Sequence, residues 1–241
     1  MLRLAFAASL LAATVGCSTI DSEDIETSGI TASMEVLRTA AGSSVSVSLS
    51  AGTLNFVSLN NGDTLKATAK EQTVELAENN VLNAISYFGQ LDANAQGDEV
   101  TVAFERASKT SAPSSTVILP ANVEITAPAA STAFSRANDP VVIDVTSEAS
   151  TDGMRLSWSG DCVDADGFDL PAGAVSATIN AGIIKKRAQV DENDPDSEPV
   201  PDTCTVTLRV ERRATGTLDG EFEGGTITAV TSSTRDITSN L

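Results

Sequence analysis

Histidine is absent from this chain of 241 residues. A Ser-His-Asp triad, a Cys-His nucleophile pair and a Cys/His metal site all require that side chain, so the sequence excludes these three kinds of site. Aromatic residues make up only 4% of the chain, with one tryptophan and one tyrosine. A glycosidase with paired carboxylates must also hold a sugar ring, and this composition offers few aromatic walls for such a cleft. Catalysis is therefore not expected, and a hydrolase is the least favoured class.

Basic residues are also few. The chain has 15 lysines and arginines against 33 aspartates and glutamates, which gives a formal net charge of −18. A surface without a basic stripe cannot displace counterions from phosphates, so a nucleic-acid partner is excluded. No glycine-rich phosphate loop follows a strand and opens a helix. The acidic surface is a simple route to solubility.

The N-terminal segment has the pattern of a cleaved signal peptide. A single positive charge, Arg3, precedes an apolar run over residues 4–15 that only Ser9 and Thr14 interrupt. This run is too short to cross a bilayer as a helix, which takes about 20 apolar residues. Residues 1–16 are therefore predicted to direct export and to be removed.

The end of this segment, Thr14-Val15-Gly16-Cys17, resembles the lipobox of bacterial lipoproteins. The resemblance implies that Cys17 carries lipid, which would be the protein's link to a membrane of the bacterial cell envelope. Under the rule known for enteric bacteria, Ser18 implies the outer membrane. Several acyl chains on one residue give stable anchoring. The alternative is an ordinary secretory signal that is cut nearby, with Cys17 discarded or left free.

The mature chain is predicted to begin with an acidic tether and a first β-sandwich domain. Residues 17–29 are polar and acidic without apolar periodicity, which predicts a lipidated tether that need not fold. Over residues 30–120, short runs alternate between apolar and polar residues as half-buried strands do. These runs are SVSVSLS (44–50), TLNFVSL (53–59), TLKATAK (64–70), ISYF (85–88) and EVTVAFER (99–106).

Two segments of this domain need separate interpretation. The sequence NNGD at residues 60–63 predicts a tight hairpin turn, because Asn and Gly tolerate positive φ. The runs on either side of it are then neighbours in a meander. Residues 74–82 (VELAENNVL) fit either a one-turn helix or a strand.

A second β-sandwich domain is predicted over residues 121–241. Proline and small polar residues concentrate at 111–120 and 126–130, which places the boundary near Pro120. Alternation resumes in the runs VVIDVTS (141–147), MRLSWSG (154–160), AVSATIN (174–180) and CTVTLRVER (204–212). A last strand pair is expected around residues 221–223 and 226–230, with two glycines between them.

Cys162 and Cys204 are predicted to form a disulfide. With Cys17 consumed by lipid, they are the remaining pair in an exported, oxidising setting. Cys204 is in phase with the apolar face of its strand, which places the bond at the edge of the core. Closing a loop of this length stabilises the fold by about 4 kcal/mol in the chain-entropy model. Trp158 alternates with Met154, which predicts a core position for its ring.

Four aspartates are the candidate metal ligands. Asp161, Asp164, Asp166 and Asp169 lie in the sequence DCVDADGFD, where a turn would be able to wrap a calcium ion with carboxylate oxygens. The EF-hand template does not fit this segment, and Asp and Gly are also ordinary turn residues. A second acidic cluster, at residues 191–202 (DENDPDSEPVPD), is predicted to be a solvated loop within the disulfide. No cofactor is expected, with calcium as the one possible ligand.

Several loose patterns together resemble uncharacterised bacterial lipoproteins with immunoglobulin-like β-sandwich domains. They are the lipobox followed by GDTL at residues 62–65, SAPSSTVILP at 111–120, FSR at 134–136 and PVVI at 140–143. The resemblance implies a fold and a location and brings no catalytic residues. The expected fold class is all-β, with two tandem antiparallel β-sandwiches of the immunoglobulin-like type after a cleaved lipoprotein signal peptide.

The expected function is a non-catalytic structural or binding role at the cell envelope. A membrane-anchored sandwich carries its contacts on end loops or on a free sheet edge, so a protein or glycan partner is expected there. The alternative is a calcium- or carbohydrate-binding surface module.

Overall fold

The computed structural model describes residues 18–52, 55–82, 84–147, 150–188 and 199–241. The predicted signal peptide, Cys17 and residues 189–198 of the acidic loop region lie outside the described residues. Within these ranges, no helix combines the length and the apolar composition of a membrane span.

Strands dominate the described residues, and helix is limited to two 3-10 turns, Ser22–Asp24 and Thr27–Gly29. The first ten strands are β1 (Ser18–Asp21), β2 (Thr31–Thr39), β3 (Gly42–Ala51), β4 (Asn55–Ser58), β5 (Thr64–Ala69), β6 (Gln72–Glu75), β7 (Ala77–Val81), β8 (Ala84–Leu91), β9 (Glu99–Glu105) and β10 (Ala112–Ile118). The other eight are β11 (Val123–Ala127), β12 (Ala133–Ser135), β13 (Val141–Ser147), β14 (Gly153–Gly160), β15 (Val163–Leu170), β16 (Ser176–Ile179), β17 (Cys204–Thr215) and β18 (Gly224–Asn240). The predicted all-β class is confirmed.

Alternation in the sequence becomes alternation in burial. In β3, Val45, Val47 and Leu49 are fully buried while the serines between them are half-buried. Successive side chains of a strand point to opposite faces, so this period of two places every valine and leucine of β3 on one face. The strand positions predicted from alternation are confirmed in the same way in β5, β9, β14 and β17.

The strands form one long sheet and two small ones. The long sheet has the order β1-β4-β3-β2-β18-β17-β14-β15, with β7, β8 and β12 attached to it. A four-stranded sheet, β10-β9-β5-β6, packs on one part of it, and a three-stranded sheet, β11-β13-β16, packs on the other. Most neighbours are antiparallel as predicted, but β1 with β4, β2 with β18 and β12 with β18 are parallel.

Two hydrophobic cores lie between these sheets. Lobe 1 is defined here by the core that contains Val36 of the long sheet and Leu65 of the four-stranded sheet. Lobe 2 is defined by the core that contains Leu208 of the long sheet and Ile143 of the three-stranded sheet. Each lobe is therefore a sandwich whose two layers interdigitate.

Strand β18 belongs to both lobes. Residues 224–231 pair with β2, from Gly224 opposite Thr31, and residues 228–239 pair with β17, up to Ser239 opposite Cys204. At about 3.3 Å per residue, a strand of this length extends roughly 50 Å. The long sheet is therefore continuous from one lobe to the other.

The shared strand corrects the predicted domain boundaries. Residues 121–241 were expected to form a separate second sandwich, but Phe222, Ile227 and Ala229 lie in the core of lobe 1. Ile237, ten residues after Ile227, lies in the core of lobe 2. The C-terminal part of the chain returns to lobe 1, where β18 pairs with the edge of β2 opposite to β3.

The turn predicted at residues 60–63 is present, but it does not connect two neighbouring strands of one sheet as predicted. Asn61 and Gly62 have φ of 53° and 85°, and the Asp63 N–H donates to the Asn60 carbonyl at 2.9 Å. However, β4 pairs with β3 in the long sheet, whereas β5 pairs with β6 and β9 in the four-stranded sheet. The turn carries the chain from one layer of the sandwich to the other, so the predicted meander is not formed.

Two further predictions concern residues 74–82 and residues 221–230. Residues 74–82 fall mainly into strands β6 and β7, so the helical alternative is wrong. Residues 221–223 form a turn rather than a strand, and β18 begins directly at Gly224. Gly225 has φ of 126°, and a Cβ atom on it would lie 1.8 Å from the Ala32 carbonyl oxygen. The glycine pair therefore permits the close approach of β18 to β2.

Candidate functional site

The strand register places the start of the described chain at one end of the molecule. Ser18 is the register partner of Asn55 in β4, and Asn55 is the partner of Ala51, the last residue of β3. The opposite end of β3 faces lobe 2, since Arg38 of the adjoining strand β2 donates to the Pro120 carbonyl between the lobes. Ser18, Asn55 and Ala51 thus define the N-terminal end, which is the end of lobe 1 remote from lobe 2.

A buried arginine fixes the N-terminal segment to this end. The Arg106 Nε–H donates to Asp63 Oδ2 at 3.0 Å, and the two side chains are 0% and 4% exposed. The remaining guanidinium N–H groups donate to the carbonyls of Ser22 and Ile25 and, at 2.9 Å, to the Thr27 hydroxyl. The guanidinium also lies 5.0 Å from the centre of the Phe104 ring (on which it stacks as a cation).

These contacts correct the predicted tether. Residues 18–29 form strand β1 and two 3-10 turns on lobe 1, and Ser22 and Thr27 are buried. The segment is held by these polar contacts and by Ile20 and Ile25, which pack on the core of lobe 1. Neither the polar contacts nor two isolated isoleucines produce an apolar period in the sequence. Residue 17 is joined directly to Ser18, the first residue of β1, so no flexible spacer separates a group attached to residue 17 from lobe 1.

The disulfide marks the other end of the molecule, here called the disulfide end. Cys162 and Cys204 are bonded with their Cα atoms 5.8 Å apart, which confirms the predicted pair. Cys162 is fully buried in the core of lobe 2, and Cys204 is partly buried beside it. The bond ties the turn after β14 to the start of β17, as the phase of Cys204 predicts.

A second buried arginine lies beside the disulfide. The guanidinium of Arg136 is 3.1 Å from the Cys162 sulfur, donates to the Ser239 hydroxyl at 2.7 Å and donates to the Asp202 carbonyl at 2.9 Å. It therefore joins β12, β18 and the segment before β17. The described end of the acidic segment, residues 199–202, lies here, and Asp202, its one described acidic residue, forms an ion pair with Lys186 at 2.6 Å.

The sequence reasoning missed both arginines, although a signal for them exists. Arg106 is two residues after the buried Phe104, and Arg136 is two residues after the buried Phe134. Each therefore continues the inward phase of its strand. Arginine is almost never fully buried unless it is paired, so an inward phase that ends in arginine predicts a buried polar network.

The structure does not bring the four candidate metal ligands together. The expected calcium turn is instead strand β15, which pairs with β14 along most of its length. Asp164 and Asp166 are exposed where a register shift interrupts the pairing of β15 with β14, and Asp169 forms an ion pair with Arg155 at 2.9 Å. Asp161 is exposed in the preceding turn. In the described part of the chain, no group of three or more acidic or cysteine side chains is placed to hold a metal ion.

A cleft of about 670 Å³ lies between the lobes. Its walls come from the end of β10, the junction at Pro120 and the end of β17. Asp152 is the one ionisable side chain among the described residues that line it. A single carboxylate does not supply the acid and base pair that glycoside hydrolysis requires.

Burial and hydrogen bonding shift the pKa values of Tyr87 and Asp219 in lobe 1. Burial raises the pKa of Tyr87 well above its usual range, and the neighbouring Glu78 carboxylate raises it further. Burial also raises the pKa of Asp219, but hydrogen bonds from Ser114 and from the Glu221 N–H outweigh burial and hold it below its ordinary value. Both groups brace connections between strands and do not face a cleft.

No protein-family model matches the chain, and no curated protein matches it. Among solved structures, it is similar to fibronectin(III)-like modules of Clostridium thermocellum CbhA, at 9% identity over 95% of this chain and 92% of that chain, with a TM-score of 0.25. It is similar to the Yersinia pseudotuberculosis adhesin InvE at 12% identity over 87% and 59%, also with a TM-score of 0.25. It is similar to Bacteroides ovatus SGBP-B in complex with a mixed-linkage heptasaccharide at 8% identity over 97% and 69%, with a TM-score of 0.21. Likenesses at these TM-scores carry no functional information, and the fold assignment rests on the strand pairing described above.

Proposed function

We propose that this chain is a lipid-anchored, non-catalytic module of the bacterial cell envelope, held at the outer membrane through Cys17. Its role is to hold a binding surface for a protein or glycan partner away from the membrane. The observation that carries the proposal is the direct packing of β1 onto the N-terminal end of lobe 1. A lipid on the preceding residue holds this end of the molecule at the membrane surface.

The continuous long sheet supports the second half of the proposal. Strand β18 pairs along both lobes, so the lobes are joined by backbone hydrogen bonds as well as by the crossing at Pro120. A molecule anchored at Ser18 then places the disulfide end roughly 50 Å away, at about 3.3 Å per residue of β18. Loops at the end of a rigid scaffold are the usual carriers of binding contacts.

The acidic loop at the disulfide end is the surface that we assign to the partner. The disulfide and Arg136 hold the segment at Asp202 and Cys204 close to the core of lobe 2, and before the loop the Arg187 N–H donates to the Cys162 carbonyl at 3.0 Å. A partner that binds there is expected to carry basic or hydrogen-bond-donating groups, because the loop is acidic. A catalytic role is not proposed, since the lining of the cleft between the lobes offers only Asp152 among the described residues.

The anchoring is tested by expressing the full chain and a Cys17→Ala variant in a Gram-negative bacterium. Mass spectrometry of the mature wild-type chain is expected to find a diacylglycerol-modified Cys17 as the first residue, and fractionation is expected to find it in the outer membrane. The Cys17→Ala variant should lose the modification and leave that fraction. A wild-type chain that is soluble in the periplasm and unmodified at Cys17 contradicts the proposal.

A further inference from the structure

The tip of the β7–β8 hairpin exposes two large apolar side chains. Leu82 is 93% exposed and Val81 is 56% exposed, and together they form the described part of this tip. Leu82 has φ of 52°, a left-handed conformation that costs an L-residue roughly 1–2 kcal/mol. Asn or Gly is the usual residue at such a position. An exposed leucine held in this conformation has no role in folding that the described contacts account for.

The register places this tip at the N-terminal end of the molecule. Strand β8 is antiparallel to β3, with Leu91 opposite Ser43 and Tyr87 opposite Val47, so the start of β8 points toward Ala51. Strand β7 runs toward the same end, because Val81 is the partner of Ala84. The hairpin tip and Ser18 therefore lie at the same end of lobe 1.

Polar contacts hold the hairpin beside β4. The Tyr87 hydroxyl donates to the Val57 carbonyl at 2.8 Å, and the Ser58 hydroxyl donates to Glu78 Oε2 at 3.3 Å. From Ser58, β4 runs three residues to Asn55, the partner of Ser18; from Glu78, β7 runs three residues to Val81. The tip thus reaches about the same height as the first described residue of the chain.

The residues that pair at the strand ends nearest the tip are uncharged. The residues that pair at this end of the strands are Ser18, Asn55, Ala51, Ala84 and Asn80. A charged side chain would oppose entry into the interfacial region of a bilayer, whereas leucine and valine gain from it. Leu82 is the most exposed of the large apolar side chains of the described residues.

We propose that the β7–β8 tip is a second membrane contact, which inserts Val81 and Leu82 into the headgroup region of a zwitterionic phospholipid bilayer. The inference rests on the proposed anchoring at Cys17 and adds a second point of attachment. Residue 17 is joined to Ser18, which lies at this same end of lobe 1. Lipid on residue 17 would therefore bring the bilayer surface to the tip. Two contacts, the lipid and the tip, fix the tilt of the long sheet relative to the membrane, which a single lipid does not do.

The experiment places an indole at position 82 of the full chain with the substitution Leu82→Trp. The matched control is Ile183→Trp, which places an indole at a 48% exposed position at the disulfide end. Each mature protein is reconstituted into phosphatidylcholine vesicles that contain brominated lipid. The native Trp158 is buried and supplies the same background in both proteins. Unfolding midpoints like that of the wild type show that both variants are folded.

Bromolipid is expected to quench the indole at position 82 and to leave the indole at position 183 unchanged. The quenching should be strongest with bromine near the headgroups, at the depth of about 5–10 Å typical of interfacial side chains. Equal accessibility of both positions to aqueous iodide, with no lipid quenching, overturns the proposal. A second outcome also overturns the proposal. If position 82 is shielded from iodide without vesicles in a chain that retains residues 1–16, the leader of the chain itself covers the tip.

Mass spectrometry of the same samples separates this proposal from the anchoring. If Cys17 is lipidated and position 82 is not quenched, the membrane contact fails while the anchoring stands. If Cys17 carries no lipid, the anchoring fails, and quenching of position 82 at excess vesicles decides the membrane contact by itself.

Discussion

Arg106 and Asp63 are bound at 3.0 Å between a strand end and a turn, and neither side chain is exposed by more than 4%. Asp63 also accepts the Ala107 N–H at 2.9 Å, so its second oxygen is satisfied. The pair joins the turn at residues 60–63 to the loop after β9 and, through the other N–H groups of Arg106, to residues 22–27. One ion pair therefore holds three segments that are far apart in sequence.

Removing the arginine should destabilise lobe 1 strongly. Arg106→Met leaves the Asp63 carboxylate buried without its cation, which typically costs about 3–5 kcal/mol. Denaturant unfolding measures the loss, and limited proteolysis should cut within residues 18–30 before the rest of the chain. Arg155→Met removes an exposed ion pair with Asp169 and should cost less than about 1 kcal/mol. Equal effects of the two substitutions would contradict the structural role of the buried pair.

Phe222 tests whether the C-terminal third of the chain is part of lobe 1. Its ring stacks on Phe104 with centroids 6.1 Å apart. Phe222→Ala should lower the free energy of unfolding by about 3–5 kcal/mol through the lost contacts and the cavity. Hydrogen exchange should show faster opening of β5 and β9, which are more than 100 residues away in sequence. Faster exchange confined to residues near Phe222 would argue against a shared core.

The disulfide is expected to stabilise the disulfide end. Replacing Cys162 and Cys204 together by serine opens a loop closed over a sequence separation of 42, which in the chain-entropy model costs about 4 kcal/mol. Denaturant unfolding of the variant, compared with the wild type with and without reductant, measures this cost. A variant as stable as the oxidised wild type would show that the strand pairing of β17 alone fixes this end.

Alkaline pH should unfold lobe 1 through Tyr87. Its pKa is raised in the folded state, so the neutral phenol stabilises the fold at neutral pH and this contribution is lost as pH rises above the ordinary tyrosine pKa of about 10. Tyr87 is the only tyrosine of the chain, so tyrosinate absorbance reports this group alone. Absorbance should rise together with the loss of β-sheet circular dichroism. A tyrosinate signal that develops while the fold is intact would contradict the raised pKa.

Calcium should leave thermal stability unchanged. A ligand that binds only the folded state raises the apparent stability, and the described aspartates of β15 are not assembled into a site. The melting temperature of the mature protein is therefore expected to be the same in calcium and in chelator. A clear increase in calcium would return Asp161, Asp164, Asp166 and Asp169 to consideration as ligands and would favour the calcium-binding alternative.

The sequence determined the features that depend on neighbouring residues. Alternation in runs such as 44–50 and 204–212 predicts strands, because the period of two in a strand decides which side chains are buried. The backbone of the turn at residues 60–63 follows from Asn61 and Gly62, which accept positive φ. The pairing of Cys162 with Cys204 follows from the cysteine count and from the phase of Cys204.

Only the tertiary structure decided how these pieces are connected. The backbone of the turn at residues 60–63 fits both a hairpin and a crossing between sheets. Pairing of β5 with β9 makes it a crossing. The segment DADGFD becomes a strand because β14 offers it a ladder of backbone hydrogen bonds, against the low strand preference of aspartate. Residues 18–29 fold because Arg106, some 80 residues later, supplies the donors that their carbonyls need.

The same limit applies to the two lobes and to the hairpin tip. Pairing of β2 with β18 joins residues nearly 200 positions apart, and no local pattern records which free edge a late strand will fill. Val81 and Leu82 show as apolar residues in the sequence, but only the register reveals that they stand at the end where the chain emerges. Local residue pattern thus determined the strands, turns and disulfide of this protein, whereas long-range backbone pairing and buried ion pairs decided its shape and the orientation of its surfaces.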